Sequence, residues 1–81
     1  MYYIYAIVNN INNNLYIGYS EDLRQRIQEH NNGLVQSTKN KKPWKLIYYE
    51  AYNNKGLALR QEKRLKMHAV KNELKRRLGL I

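Results

Sequence analysis

The chain has 81 residues, enough for one compact domain with a modest core and no room for a second. Its 15 Lys and Arg against 6 Asp and Glu leave a formal net charge of +9, which suits a polyanionic partner and nucleic acid first, although merely solvated lysines give the same count. The absence of cysteine excludes disulfides and thiolate metal sites, and with no apolar run of membrane-spanning length and no signal-peptide pattern at the start a cytoplasmic protein without a membrane partner is expected.

Tyr2 to Val8 (YYIYAIV) is β-branched and aromatic and predicts a strand. Asn9 to Asn14 is a turn signal, because Asn tolerates left-handed backbone and bonds to nearby amides. Leu15 to Tyr19 (LYIGY) predicts a second strand, paired with the first as an antiparallel hairpin. Gly18 inside that strand weakens it and marks a close approach by a ligand or another backbone. Ser20 is a suitable N-cap for a helix from about Glu21 to Asn31, which Gly33 stops. A basic loop, Gln36 to Lys42, is closed by Pro43, and Lys45 to Tyr52 predicts a third strand. After a turn at Asn53-Asn54-Lys55-Gly56, helices are expected from Leu57 to about His68 and from about Val70 to Leu78. The fold class is therefore α+β, a small three-stranded antiparallel sheet in the order β-β-α-β-α-α, with helices needed to cover one sheet face.

Eight Tyr, one Trp and no Phe mean that some tyrosines serve as core material. Strand alternation puts Tyr3, Tyr5 and Ile7 on one face and Ile4, Ala6 and Val8 on the other. Tyr5 and Tyr16 fall near each other across the hairpin, as a core aromatic pair or as a general base with its neighbour. Arg26 and His30 share one face of the first helix. An arginine there suits phosphate through its planar fork, or is an ordinary exposed helix residue. His30 is either part of a site or a cap near the helix end. In the next helix Ala58, Leu65 and Ala69 share a face that also carries Glu62. A carboxylate on a core-facing stripe needs a partner, either a metal ion or one of the many basic side chains.

The order of these residues carries more than any one of them. Tyr3-Ile4-Tyr5, about ten residues, Tyr16-Ile17-Gly18, then Arg26, His30 and Glu62 resembles the GIY-YIG nuclease family. The helix SEDLRQRIQEH, the PWKLIYYEAY strand and the ALRQEKRLK helix are similar to its small single-domain, excinuclease-C-like (UPF0213-type) members. The resemblance implies a metal-dependent endonuclease acting on nucleic acid, DNA first, in repair or recombination. It implies that Tyr5 and Tyr16 lie beside the scissile phosphate, one of them activating water. It further implies that Arg26 contacts the phosphate, His30 belongs to the site, and Glu62 holds one divalent ion, Mg²⁺ or Mn²⁺. Gly18 is the motif glycine that keeps the backbone close. Two departures stand out: Tyr3 replaces the first motif's glycine, and Asn72 is a poor match for the asparagine some relatives carry.

A second function class competes, a nucleic-acid-binding module of the same fold that cuts poorly. In either case Lys39, Lys41, Lys42, Lys45 and the C-terminal lysines and arginines are the expected phosphate contacts, with Trp44 available for stacking on bases. A third reading is an adaptor whose basic last helix binds an acidic protein surface. A domain this small has little surface for reading bases, so a protein partner for targeting fits as well.

Overall fold

The computed structural model describes residues 1–9 and 11–81, so position 10 of the expected Asn9–Asn14 turn lies outside the described residues. Three strands, β1 (Tyr2–Asn9), β2 (Leu15–Ser20) and β3 (Trp44–Tyr52), and three helices, α1 (Leu23–Asn31), α2 (Lys55–Leu65) and α3 (His68–Arg77), follow in the expected order. The sheet is antiparallel throughout with β1 at its centre, in the order β2-β1-β3. Asn13 supplies the left-handed residue of the hairpin turn, at φ 56°, and its N–H reaches the Asn9 carbonyl at 2.9 Å.

The alternation of β1 gives the sheet two apolar faces, and both are covered, where one was expected. Ile4, Ala6 and Val8 join Leu15 and Ile17 under Ala58 and Leu65 of α2 and Leu74 of α3. Tyr5, Ile7 and Trp44 form the other core, closed by Leu23 and Ile27 of α1. A bulge in β3 lets one strand serve both layers: Ala6 pairs with Tyr48 and Ile7 with Leu46, skipping Ile47. The extra residue reverses the alternation, so Leu46 and Trp44 pack toward α1 while Tyr48 and Tyr52 pack toward α2 and α3.

Several boundaries differ from the sequence reading for local reasons. Asp22, not Ser20, caps α1, its side chain accepting from the Gln25 N–H at 3.1 Å. Ser20 instead closes the preceding bend, its hydroxyl accepting from the Asp22 N–H at 2.9 Å. Gly33, at φ 73°, ends α1 as expected. Asn54 caps α2 through the Leu57 N–H at 3.0 Å, so Lys55 and Gly56 are helical rather than part of a turn. The helix stops at Leu65, and α3 restarts with its own register. Ala69 therefore belongs to α3 and is exposed, off the stripe it was expected to share with Ala58 and Leu65. No helix of the described residues is long and apolar enough to cross a membrane.

Candidate active site

The face of the sheet under α1 gathers four of the candidate side chains. Tyr5 lies opposite Gly18, and Tyr16 opposite Ile7, so the two tyrosines are diagonal neighbours rather than a directly facing pair. His30, from the last turn of α1, fills the space between them. Its ring stands 5.7 Å from that of Tyr5 and 5.2 Å from that of Tyr16, nearly edge-on to both. The Tyr5 hydroxyl is 2.7 Å from His30 Nε2, and the Thr38 hydroxyl is 2.7 Å from Nδ1. A neutral imidazole has one donor and one acceptor nitrogen, and each hydroxyl can take either role, so both ring nitrogens are satisfied.

Burial governs the protonation of this pair. Tyr5 and His30 are both fully inaccessible. Burial pushes the Tyr5 phenol up to about 12, against the pull of the neighbouring Arg26 guanidinium. It pushes the His30 imidazole down to about 4, helped by the positive charge of Arg26 and opposed by Glu29. His30 is thus neutral and hydrogen-bonded inside the domain, which is not the solvated helix-end cap that was its alternative reading.

Gly18 has a definite steric reason. A Cβ at that position would meet Tyr5 Cζ and Oη at 2.4 Å, inside any permissible contact, so the phenol head occupies the place of the missing side chain. The close approach at Gly18 is made by the Tyr5 side chain, not by the ligand or backbone that was expected.

Arg26 lies beside the Tyr5 phenol. Its Nη1 bonds Glu29 Oε1 at 3.0 Å, and both side chains are about one third exposed. The bond to Glu29 and then the nearby Tyr5 hydroxyl raise its pKa further. Its Nε is buried and has no hydrogen-bond partner among the described residues. An orphaned buried donor is costly. A shallow cavity of about 310 Å³ opens beside it, lined by Tyr19, Gln25 and the carboxylates of Glu21, Asp22 and Glu29.

Glu62 comes from α2, the layer on the opposite sheet face, and touches the group only through its field: its negative charge adds to the raised pKa of Tyr5 and, after burial and Glu21, to that of Tyr19. Its carboxylate is paired with Lys66 Nζ, 3.1 Å from Oε2, and its side chain is 20% exposed. Of the two sequence readings of Glu62, the basic partner is the one observed, in Lys66. Among the described residues no three His, Cys, Asp or Glu side chains cluster as a metal site, so any ion would rest on one carboxylate and its own water shell, a donor set that Mg²⁺ tolerates.

The remaining candidates divide by burial. Lys39, Lys41, Lys42 and Lys45 are exposed. Trp44 is buried, with its indole N–H donating to the Thr38 carbonyl at 3.1 Å, so it is a core residue and the stacking surface expected of it is absent. Asn72 bonds its neighbour His68 at 3.2 Å on the surface of α3 and joins no site. Sequence reasoning missed Thr38, which braces His30 from the basic loop. It also missed Asn31, whose side-chain amide accepts from the Trp44 N–H at 2.6 Å and donates to its carbonyl at 3.0 Å, fixing α1 to β3. Neither had a sequence signal, since a polar residue in a polar stretch does not announce a long-range bond.

The GIY-YIG catalytic-domain family matches residues 1–78 of the chain. A UPF0213 protein of Staphylococcus saprophyticus is 39% identical over 75 residues, covering 91% of this chain and 90% of that protein. A UPF0213 protein of Staphylococcus epidermidis is 35% identical over the same length and coverage, and one of Staphylococcus aureus 34% identical over 70 residues, 85% of each chain. No solved structure gives a significant match.

Proposed function

Because the chain belongs to the GIY-YIG family, a family of nucleases, we propose that it is an endonuclease that hydrolyses phosphodiester bonds, with DNA as substrate, one divalent ion as cofactor, and a role in repair or recombination. The observation that carries this reading is the convergence of Tyr5, His30, Tyr16 and Arg26 on one sheet face.

The two tyrosines have different parts in this mechanism. Tyr5 is sealed and holds its proton tightly, so it is a positioning residue that fixes His30 and, through it, the ring of Tyr16. Tyr16 is half-buried and lines an open cavity. It is the tyrosine that can face an attacking water, accepting its proton while passing its own phenolic proton on to bulk water. Arg26 offers its part-exposed guanidinium N–H groups to the non-bridging oxygens and stabilises the charge that builds there. Glu62 is the residue that would hold Mg²⁺ or Mn²⁺; the ion, when bound, supplies Lewis-acid charge and orientation. Lys39, Lys42 and Lys45 add general attraction for the polyanion.

Incubation of the purified protein with nicked, branched and single-stranded DNA, and with RNA, in Mg²⁺, Mn²⁺ or chelator tests this reading. Metal-dependent cleavage of DNA is expected. Binding to every substrate with cleavage of none would instead favour the module that keeps the fold and the basic surface without the chemistry.

A further inference from the structure

A second concavity adjoins Tyr16 and lies apart from the Arg26 cavity. It has a volume of about 280 Å³ and is lined by Tyr16 and Trp44 at its base, by Thr38 and Lys41 of the basic loop, and by Lys71 and Lys75 of α3. Two segments far apart in sequence thus bring three ammonium groups to one hollow. No carboxylate lines it, in contrast to the Arg26 cavity, where three do. The remaining walls offer hydroxyl and amide groups, which serve phosphate oxygens as readily as water.

The lysines are arranged at a cost. Lys71 is half-buried, and burial followed by the charges of Lys75 and Lys66 lowers its pKa. Like charges held together in a part-desolvated hollow repel one another unless an anion sits among them. Lys66 is also the partner of Glu62.

We infer that this hollow is a backbone track in which Lys41, Lys71 and Lys75 hold phosphates of the nucleic-acid strand flanking the one being cut. The inference deepens the nuclease reading and rests on its nucleic-acid part, not on hydrolysis. The track reads no bases, because its groups match phosphate oxygens and its aromatic base is occupied in packing.

The test is fluorescence anisotropy with a labelled single-stranded oligonucleotide over a range of salt concentrations. Each lost phosphate contact reduces the slope of log affinity against log salt by about 0.7 for single strands. Lys71→Gln with Lys75→Gln is expected to flatten the slope by about 1.4, and Lys71→Arg with Lys75→Arg to keep it. A control of equal charge, Arg60→Gln with Lys63→Gln, removes exposed side chains of α2 outside the hollow and is expected to leave the slope near that of the wild type. A wild-type slope in the Lys71/Lys75 glutamine variant overturns the inference. So does equal flattening in the control, which would reduce the effect to net charge, and so does weak binding in the arginine pair, which would make the loss structural. Cleavage separates the two claims: a wild type that binds but never cuts, with the slope change intact, removes hydrolysis and leaves the track, whereas cutting with an unchanged slope does the reverse.

Discussion

The Tyr5 hydroxyl and His30 Nε2 lie 2.7 Å apart in the interior, with neither residue open to solvent. Removing one partner strands the other without water to replace it. Tyr5→Phe is expected to lower unfolding free energy by about 1–3 kcal/mol, the usual cost of an unsatisfied buried group, as read by urea denaturation. Unchanged stability would mean that the bond contributes nothing net to the fold.

The depressed His30 pKa, from 6.5 to about 4, sets a pH window. The native state binds fewer protons than the unfolded chain between these values, so stability rises with pH there. The contribution is fully present above about pH 6.5, is lost as pH falls toward 4, and is worth on the order of 3 kcal/mol for a fully buried ring. Denaturation curves at pH 7 and pH 4.5 should show this difference in the wild type and a much smaller one in His30→Gln. Equal pH dependence in both proteins would assign the titration to other groups.

Gly18 and Tyr5 are coupled by sterics. Gly18→Ala places a methyl where Tyr5 Cζ and Oη now lie and is expected to destabilise by about 1–3 kcal/mol, the usual range for overpacking. In a double-mutant cycle with Tyr5→Leu most of that penalty should vanish. Additive effects would show that the glycine serves some other purpose.

How far the sequence carried this account differs from element to element. The strands, their pairing and the division of β1 into two faces follow from period-two alternation, and the family order of Tyr5, Tyr16, Arg26, His30 and Glu62 is visible in the chain itself. The environment of each side chain is not. A Trp in a basic loop reads as a base-stacking platform, yet the β3 bulge turns Trp44 into the second core. A His four residues after an Arg reads as a site or cap residue, yet two hydroxyls from distant segments, Tyr5 and Thr38, hold it neutral. The lysines of α3 read as a basic face able to contact phosphate, and only tertiary packing brings Lys71 and Lys75 beside Lys41.

The Lys66 ammonium competes with any cation for Glu62. Lys66→Met is expected to tighten Mn²⁺ binding several-fold, measured by the loss of the free-ion paramagnetic resonance signal, while Glu62→Gln weakens it. The pair is part-exposed, so its net contribution to folding is small and the Met variant should fold normally. Unchanged Mn²⁺ affinity in both variants would move the ion away from Glu62.

The central claim is tested most directly by single-turnover cleavage of a DNA substrate at saturating protein, comparing the wild type with Tyr16→Phe, Arg26→Ala and Glu62→Gln. The mechanism predicts metal-dependent cutting by the wild type and a rate loss of roughly 10²-fold or more in each variant, the scale seen when one transition-state contact is removed, with binding largely retained. Variants that cut as fast as the wild type, or a folded wild type that binds DNA and cuts none of it, would contradict it.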